Sequence, residues 1–131
     1  MARKYKFHDH SKRYFVTFTV VHWIDAFIRE AYRNIFYESI RYCQEKKGLE
    51  VYGYCIMTSH IHLIIGTEQG NLSDIVRDLK SFTSRQIRKS IENSNTESRK
   101  EWMLWMFKRT GIQNERNIDF QRCDVSLLDA A

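Results

Sequence analysis

Hydrophobic positions along this chain switch between a period of two and a period near 3.6. Residues 1–13 are polar and basic, carrying Arg3, Lys4, Lys6, Lys12 and Arg13. Tyr14 to Val21, YFVTFTVV, has the β-branched and aromatic composition of a strand. Apolar residues then recur at Ile28, Ala31, Tyr32, Ile35, Phe36, Ile40 and Cys43, with Ser39 the one weak position. That i, i+3, i+4, i+7 spacing predicts an amphipathic helix, with Lys46 and Lys47 suited to its C-terminus and Gly48 as its stop. Val51 to Met57 and His60 to Ile65 read as two strands joined by a tight Thr58-Ser59 turn. Gly66 and Gly70 punctuate the exit, and Asn71 or Ser73 caps a second long helix running to about Ile91. ENSNTES, residues 92–98, is a polar loop. WMLWMF, residues 102–107, is apolar all round and predicts a short buried helix or an aromatic plug. RCDVSLLDAA, residues 122–131, has no periodicity from which an element follows.

The order β-α-β-β-α predicts an α+β sandwich of ferredoxin-like or RRM-like type, an antiparallel sheet with its helices on one face. The 131 residues suit one domain. With 43% hydrophobic and 14% aromatic residues the chain has the material for a core. No apolar run approaches the roughly 20 residues of a membrane span. The basic N-terminus leads into no signal-peptide core, so a cytoplasmic protein without a membrane partner is expected. The three cysteines, Cys43, Cys55 and Cys123, form no CxxC pair and read as reduced thiols. A net charge of +5 and a pI near 9.2 are compatible with nucleic acid, though many unrelated proteins share them.

The chemistry concentrates in YGYCIMTSHIHLII, residues 52–65. On a strand, residues two apart share a face, so His60 and His62 project together, about 7 Å apart at the backbone. Two imidazoles on that base can hold one divalent ion at about 2.1 Å from each nitrogen, with a third ligand from elsewhere. Two ordinary histidines on a solvated sheet face are the bland alternative. A histidine-triad hydrolase would need a third histidine where Ile64 stands. His8, His10 and His22 match no metal spacing and read as surface histidines.

The second helix adds a cationic stripe. Leu72, Ile75, Val76, Leu79, Phe82, Ile87 and Ile91 fall on one side; Arg77, Lys80, Arg85, Arg88 and Lys89 fall opposite, interleaved with Ser81 and Ser84. Such a stripe suits phosphate contacts that position a DNA backbone without reading sequence, and it equally suits a solvated helix face. Tyr14, Phe15, Phe18, Tyr52 and Tyr54 are candidates for stacking on unpaired bases, with core packing the commoner role.

Tyr54, Ile56-Met57 and His60-Ile61-His62-Leu63-Ile64-Ile65 resemble the histidine–hydrophobe–histidine signature of HUH single-strand endonucleases. More closely they resemble the single-tyrosine (Y1) transposases of the IS200/IS605 type and their relatives, the REP-associated tyrosine transposases. The YFVTFTV strand, Trp23, Phe27 and the helix ending in YCQEKKGLEVYGY belong to the same likeness, which spans about residues 5–110. Relatives often have Pro-Asn in the turn where this chain has Thr58-Ser59, and tend to carry a Lys and a Ser or Thr near Lys80 and Thr83. The resemblance implies binding of single-stranded or hairpin DNA and of Mg²⁺ or Mn²⁺ at His60 and His62. It also implies cleavage and rejoining through a 5′-phosphotyrosine, in proteins that are dimers in some relatives and monomers in others. The family's tyrosine lies in a helix well downstream of the histidines, yet none of the seven tyrosines here lies beyond Tyr54. The catalytic residue is therefore unknown, an upstream tyrosine such as Tyr5 being a weak substitute. The expected organisation is a transposase-like domain over 1–121 and a non-family tail over 122–131, from truncation or a frameshift. Metal and DNA binding without cleavage are expected, and a non-catalytic, domesticated repeat-DNA-binding module is the competing reading.

Overall fold

The computed structural model describes residues 7, 9, 12–114 and 120–127, without the side chains of 110–114 and 120–127. Tyr5, His8, His10 and the cations Arg3, Lys4 and Lys6 lie outside the described residues. The elements run β1 (Tyr14–Val20), α1 (Glu30–Lys46), β2 (Glu50–Ile56), β3 (His60–Gly66), α2 (Leu72–Glu92), α3 (Lys100–Asn114) and β4 (Phe120–Leu127). The strands form one sheet in the order β2-β3-β1-β4, antiparallel at every step. Because β3 runs antiparallel to both neighbours, β1 and β2 are parallel strands with β3 inserted between them. This is the split β-α-β arrangement of the expected α+β sandwich.

Alternation along the strands decides which face the helices cover. Tyr14, Val16, Phe18 and Val20 of β1 and Ile61, Leu63 and Ile65 of β3 are buried on the inner face. Tyr32, Phe36 and Cys43 of α1 and Leu72, Ile75, Val76, Leu79, Ile87 and Ile91 of α2 meet them in one core. Each such side chain, fully buried, contributes about 1.5–3 kcal/mol. Ser39, the weak position of the helical pattern, is buried because its Oγ donates to the Ile35 carbonyl at 2.9 Å. Gly48, at φ 76°, supplies the left-handed residue that turns the chain out of α1. Asn71 caps α2, its side chain accepting from the Asp74 amide at 3.2 Å.

Two expectations are corrected. WMLWMF is part of a 15-residue helix and is not buried all round. Met103 and Phe107, four apart, are 0% and 1% exposed, whereas Trp102 and Trp105 on the other side are 51% and 54% exposed. The Arg109 guanidinium lies 5.2 Å from the Trp105 ring centre. The tail, in which no element was expected, contains β4, paired with β1 from Tyr14↔Leu127 to Val20↔Phe120. The expected boundary between residues 121 and 122 therefore falls inside a strand. Cys123, Val125 and Leu127 alternate there with Arg122, Asp124 and Ser126, and the register sets them opposite Phe18, Val16 and Tyr14.

Candidate nucleic-acid and metal site

On the outer face of the sheet, His62 sits opposite Thr17 and His60 opposite Thr19. The two imidazoles are half-buried and nearly parallel, with ring centres 6.4 Å apart and planes at 13°. Each is held at Nδ1 by a hydroxyl: Thr17 Oγ1 lies 2.9 Å from His62 Nδ1, and Ser59 Oγ lies 2.9 Å from His60 Nδ1. Phe15 stacks on His62 at 5.5 Å, and Trp23 meets His60 edge-on at 4.5 Å. With Nδ1 of both rings engaged, Nε2 is the nitrogen each can offer an ion, and the hydroxyls at Nδ1 hold the ring orientation. Two imidazoles sharing one ion at about 2.1 Å per bond have ring centres no more than about 6.5 Å apart. The observed separation lies at the outer end of that span, which a near-linear arrangement reaches, and a tetrahedral site needs the ring centres to approach by about 1 Å. Among the described residues, no group of three or more His, Cys, Asp and Glu gathers as a metal site.

The tyrosines lie elsewhere. Tyr14 is in the core, its hydroxyl donating to the Asp9 carbonyl at 2.8 Å. Tyr32 donates to Glu97 Oε1 at 3.1 Å, and burial, reinforced by the Glu97 charge, pushes its pKa up to about 12. Tyr37 and Tyr54 meet edge-on at 5.9 Å, Tyr54 being the register partner of the inward Leu63. Tyr42 stacks on Phe82 of α2 at 6.2 Å. Tyr52 lies under the Arg13 guanidinium, 4.2 Å away, beside Gly66 at the opposite end of β3 from His60.

The stripe on α2 is not brought to the histidines. Arg77, Arg85 and Lys89 are exposed, and Lys80 and Arg88 half-buried. α2 covers the inner face, so these cations and the imidazoles lie on opposite sides of the sheet. Arg77 is bound by Asp74 at 3.0 Å and Asp78 at 3.3 Å, and Asp78 also takes Lys47 at 2.8 Å. Thr83 and Ser84 are buried rather than placed among the cations, while Phe82 is 38% exposed. Of the stacking candidates, Tyr14 and Phe18 are buried in the core, and Phe15 is left beside the histidines.

Sequence reasoning missed two features near the site. Val21–Trp23 is a tight turn in which His22 and Trp23 have φ of 53° and 57°. The loop read only as polar carries Glu97, whose side chain is 2% exposed and pairs with Arg99 at 2.9 Å and Arg29 at 3.2 Å. Burial pushes the Glu97 carboxyl up, but hydrogen bonds from Arg99 and Arg29 outweigh it and hold the carboxyl below its ordinary range. Arg99 also donates to the Asp25 carbonyl at 3.1 Å, tying this cluster to the connection after β1. An acid two residues from one arginine and far in sequence from the other is too common a pattern to have signalled this.

A split β-α-β sheet with helices on one face and a paired-histidine strand on the other defines the class to which single-tyrosine transposases belong. Residues 8–109 match the family described as "Transposase IS200 like", and the chain belongs to that family. No curated protein matches it. Among solved structures it is similar to a REP-associated tyrosine transposase bound to a REP hairpin, with a TM-score of 0.62 and 10% identity. That alignment covers 100% of this chain and 64% of the other. It is also similar to a candidate transposase from Deinococcus radiodurans R1, with a TM-score of 0.60 and 15% identity, covering 98% of this chain and 87% of that one. At these identities the likeness establishes the fold. No described helix is long and apolar enough to cross a membrane.

Proposed function

We propose that this chain is a DNA-binding transposase domain that seats single-stranded or hairpin DNA over the outer face of its sheet. His60 and His62 hold a divalent ion, Mg²⁺ or Mn²⁺, against a backbone phosphate. One observation carries the reading: two imidazoles share a face, each with Nδ1 held by a hydroxyl at 2.9 Å. Structural histidines need no such matched restraint, whereas metal ligands depend on it for ring orientation and tautomer. When bound, the ion would supply Lewis-acid polarisation of a phosphate oxygen. Thr17 and Ser59 orient the rings, Phe15 and Trp23 flank them, and Lys80, Arg85, Arg88 and Lys89 offer phosphate contacts to DNA that extends round the domain.

The six described tyrosines engage Asp9, Glu97, Phe82, Arg13 or one another rather than the imidazoles, which favours binding over cleavage by the described residues. The test is a labelled hairpin oligonucleotide with single-stranded flanks, titrated with protein with and without Mn²⁺ and then run on denaturing gels. Expected are Mn²⁺-enhanced binding, lost in His60→Ala and His62→Ala, and no covalent adduct. An adduct abolished by one Tyr→Phe change would overturn the non-cleaving reading and identify the nucleophile. Hairpin binding indifferent to Mn²⁺ and to both histidines would leave a repeat-DNA-binding module without metal chemistry.

A further inference from the structure

We infer that Trp23 is a stacking platform for an unpaired nucleobase beside the phosphate seated at His60 and His62; this rests on the DNA reading above. Trp23 is 60% exposed, one of the most exposed large apolar side chains described, although the neighbouring Val21 is buried at 1%. Its backbone is in the left-handed region, as is that of His22. Non-glycine residues adopt that conformation at a cost, and for a bulky residue it is rare. A turn free of other demands would place glycine here and tuck the indole into the core. This one is strained outward, setting the indole beside His60 with ring centres 4.5 Å apart and planes at 64°.

With three-fifths of its surface exposed, the indole keeps ring surface open to solvent beside this contact. The turn is also fastened to the hairpin that precedes His60. Val20 N donates to the Ser59 carbonyl at 2.9 Å, and Phe27 N to the Thr58 carbonyl at 3.0 Å. Arg99 holds the Asp25 carbonyl from the other side. Trp23 is therefore pre-positioned relative to the histidines, so its use in binding costs little ordering entropy. An aromatic face a few ångströms from a phosphate site, on a chain with net charge +5, meets the base attached to that phosphate. Every base has a π-face, so such stacking tolerates sequence. A double-helical segment keeps its bases stacked on one another, so the ligand is an unpaired nucleotide.

The test uses the full chain, a hairpin oligonucleotide with single-stranded flanks, and a set in which each unpaired nucleotide in turn is abasic. Affinities are read by fluorescence anisotropy in Mn²⁺, and Mn²⁺ affinity is read separately without DNA. Trp23→Ala is expected to weaken the intact oligonucleotide about 5- to 100-fold, with Trp23→Phe retaining most of the affinity. One abasic position should weaken the unaltered protein similarly, and on that oligonucleotide Trp23→Ala should cost nothing more. Mn²⁺ affinity should change far less than hairpin affinity, since Thr17 and Ser59 hold both rings at Nδ1. Equal losses on intact and all abasic oligonucleotides, no loss on any, or a loss traced to weakened Mn²⁺ binding would each overturn the stacking role. Absence of hairpin binding by the unaltered protein would bring down the DNA reading and this inference together. Binding with Trp23→Ala indistinguishable would bring down the stacking alone.

Discussion

Along β3, Ile61, Leu63 and Ile65 face the helices and are at most 1% exposed, whereas His60, His62 and Ile64 face away and stay half-buried. The inner residues belong to the apolar core, where shape and volume decide the energy. The outer ones meet hydroxyls and aromatic rings that fix direction: Thr17 and Ser59 at the imidazole nitrogens, Phe15 and Trp23 at the rings. One strand thus serves stability on one side and geometry on the other, and substitutions on the two sides should separate the two properties.

The largest effect is expected from Leu63→Ala, which empties a fully enclosed site and should lower unfolding stability by about 2–5 kcal/mol in urea melts. His62→Ala should cost less than about 1 kcal/mol, as expected away from the core. Equal costs would break the division between faces.

Next comes the carboxylate that ties the helical layer to the connection after β1. Glu97→Gln leaves Arg29 and Arg99 without their anion and should cost about 3 kcal/mol near neutral pH. Because the Glu97 carboxyl is held below its ordinary value of 4.5 in the folded state, its contribution is present above that pH. It is lost as pH falls through the folded value. The acid limb of the stability profile should therefore be shallower in Glu97→Gln, as measured by thermal melts from neutral to strongly acidic pH.

Thr17→Val keeps the shape of the outer face and removes one hydroxyl. Mn²⁺ affinity should fall about 10-fold with little change in the melting temperature, and Thr17→Ser should restore it. A parallel loss of stability would make Thr17 a packing residue instead.

The smallest effect belongs to the far side of the sheet. Arg85→Ala combined with Lys89→Ala should weaken hairpin binding less than Thr17→Val does in Mn²⁺. For every phosphate that a removed cation had neutralised, the salt dependence should flatten by about 0.9 in log–log slope. A larger effect than that of the outer-face change would place the main DNA path over α2.

Much of this was legible in the sequence because it depends on local period. YFVTFTV and HIHLII alternate, α1 and α2 repeat at helical spacing, and a glycine and a cap mark their ends, so the split sheet and its covered face follow from pattern alone. The histidines' shared direction follows from the same alternation. What was not legible depends on partners distant in sequence. β4 is fixed by pairing with β1, at the other end of the chain, although Cys123, Val125 and Leu127 do alternate with Arg122, Asp124 and Ser126. WMLWMF is divided into buried and exposed halves by what α3 packs against. Glu97 acquires Arg29 and Tyr32 only when the loop folds back on α1. Trp23 is turned outward by a left-handed backbone that nothing in VHW betrays. Ser59, met as one residue of a turn, proves to be the hydroxyl at His60.

A divalent-ion site on the outer face of β3 can be read by titrating the chain with Mn²⁺ and following free Mn²⁺ by electron paramagnetic resonance, with hairpin DNA present. One bound ion per chain is expected, lost in His60→Ala and in His62→Ala while both variants keep nearly the melting temperature of the unaltered protein. Mn²⁺ uptake that is absent in the unaltered chain, or undiminished when both histidines are replaced, would contradict it.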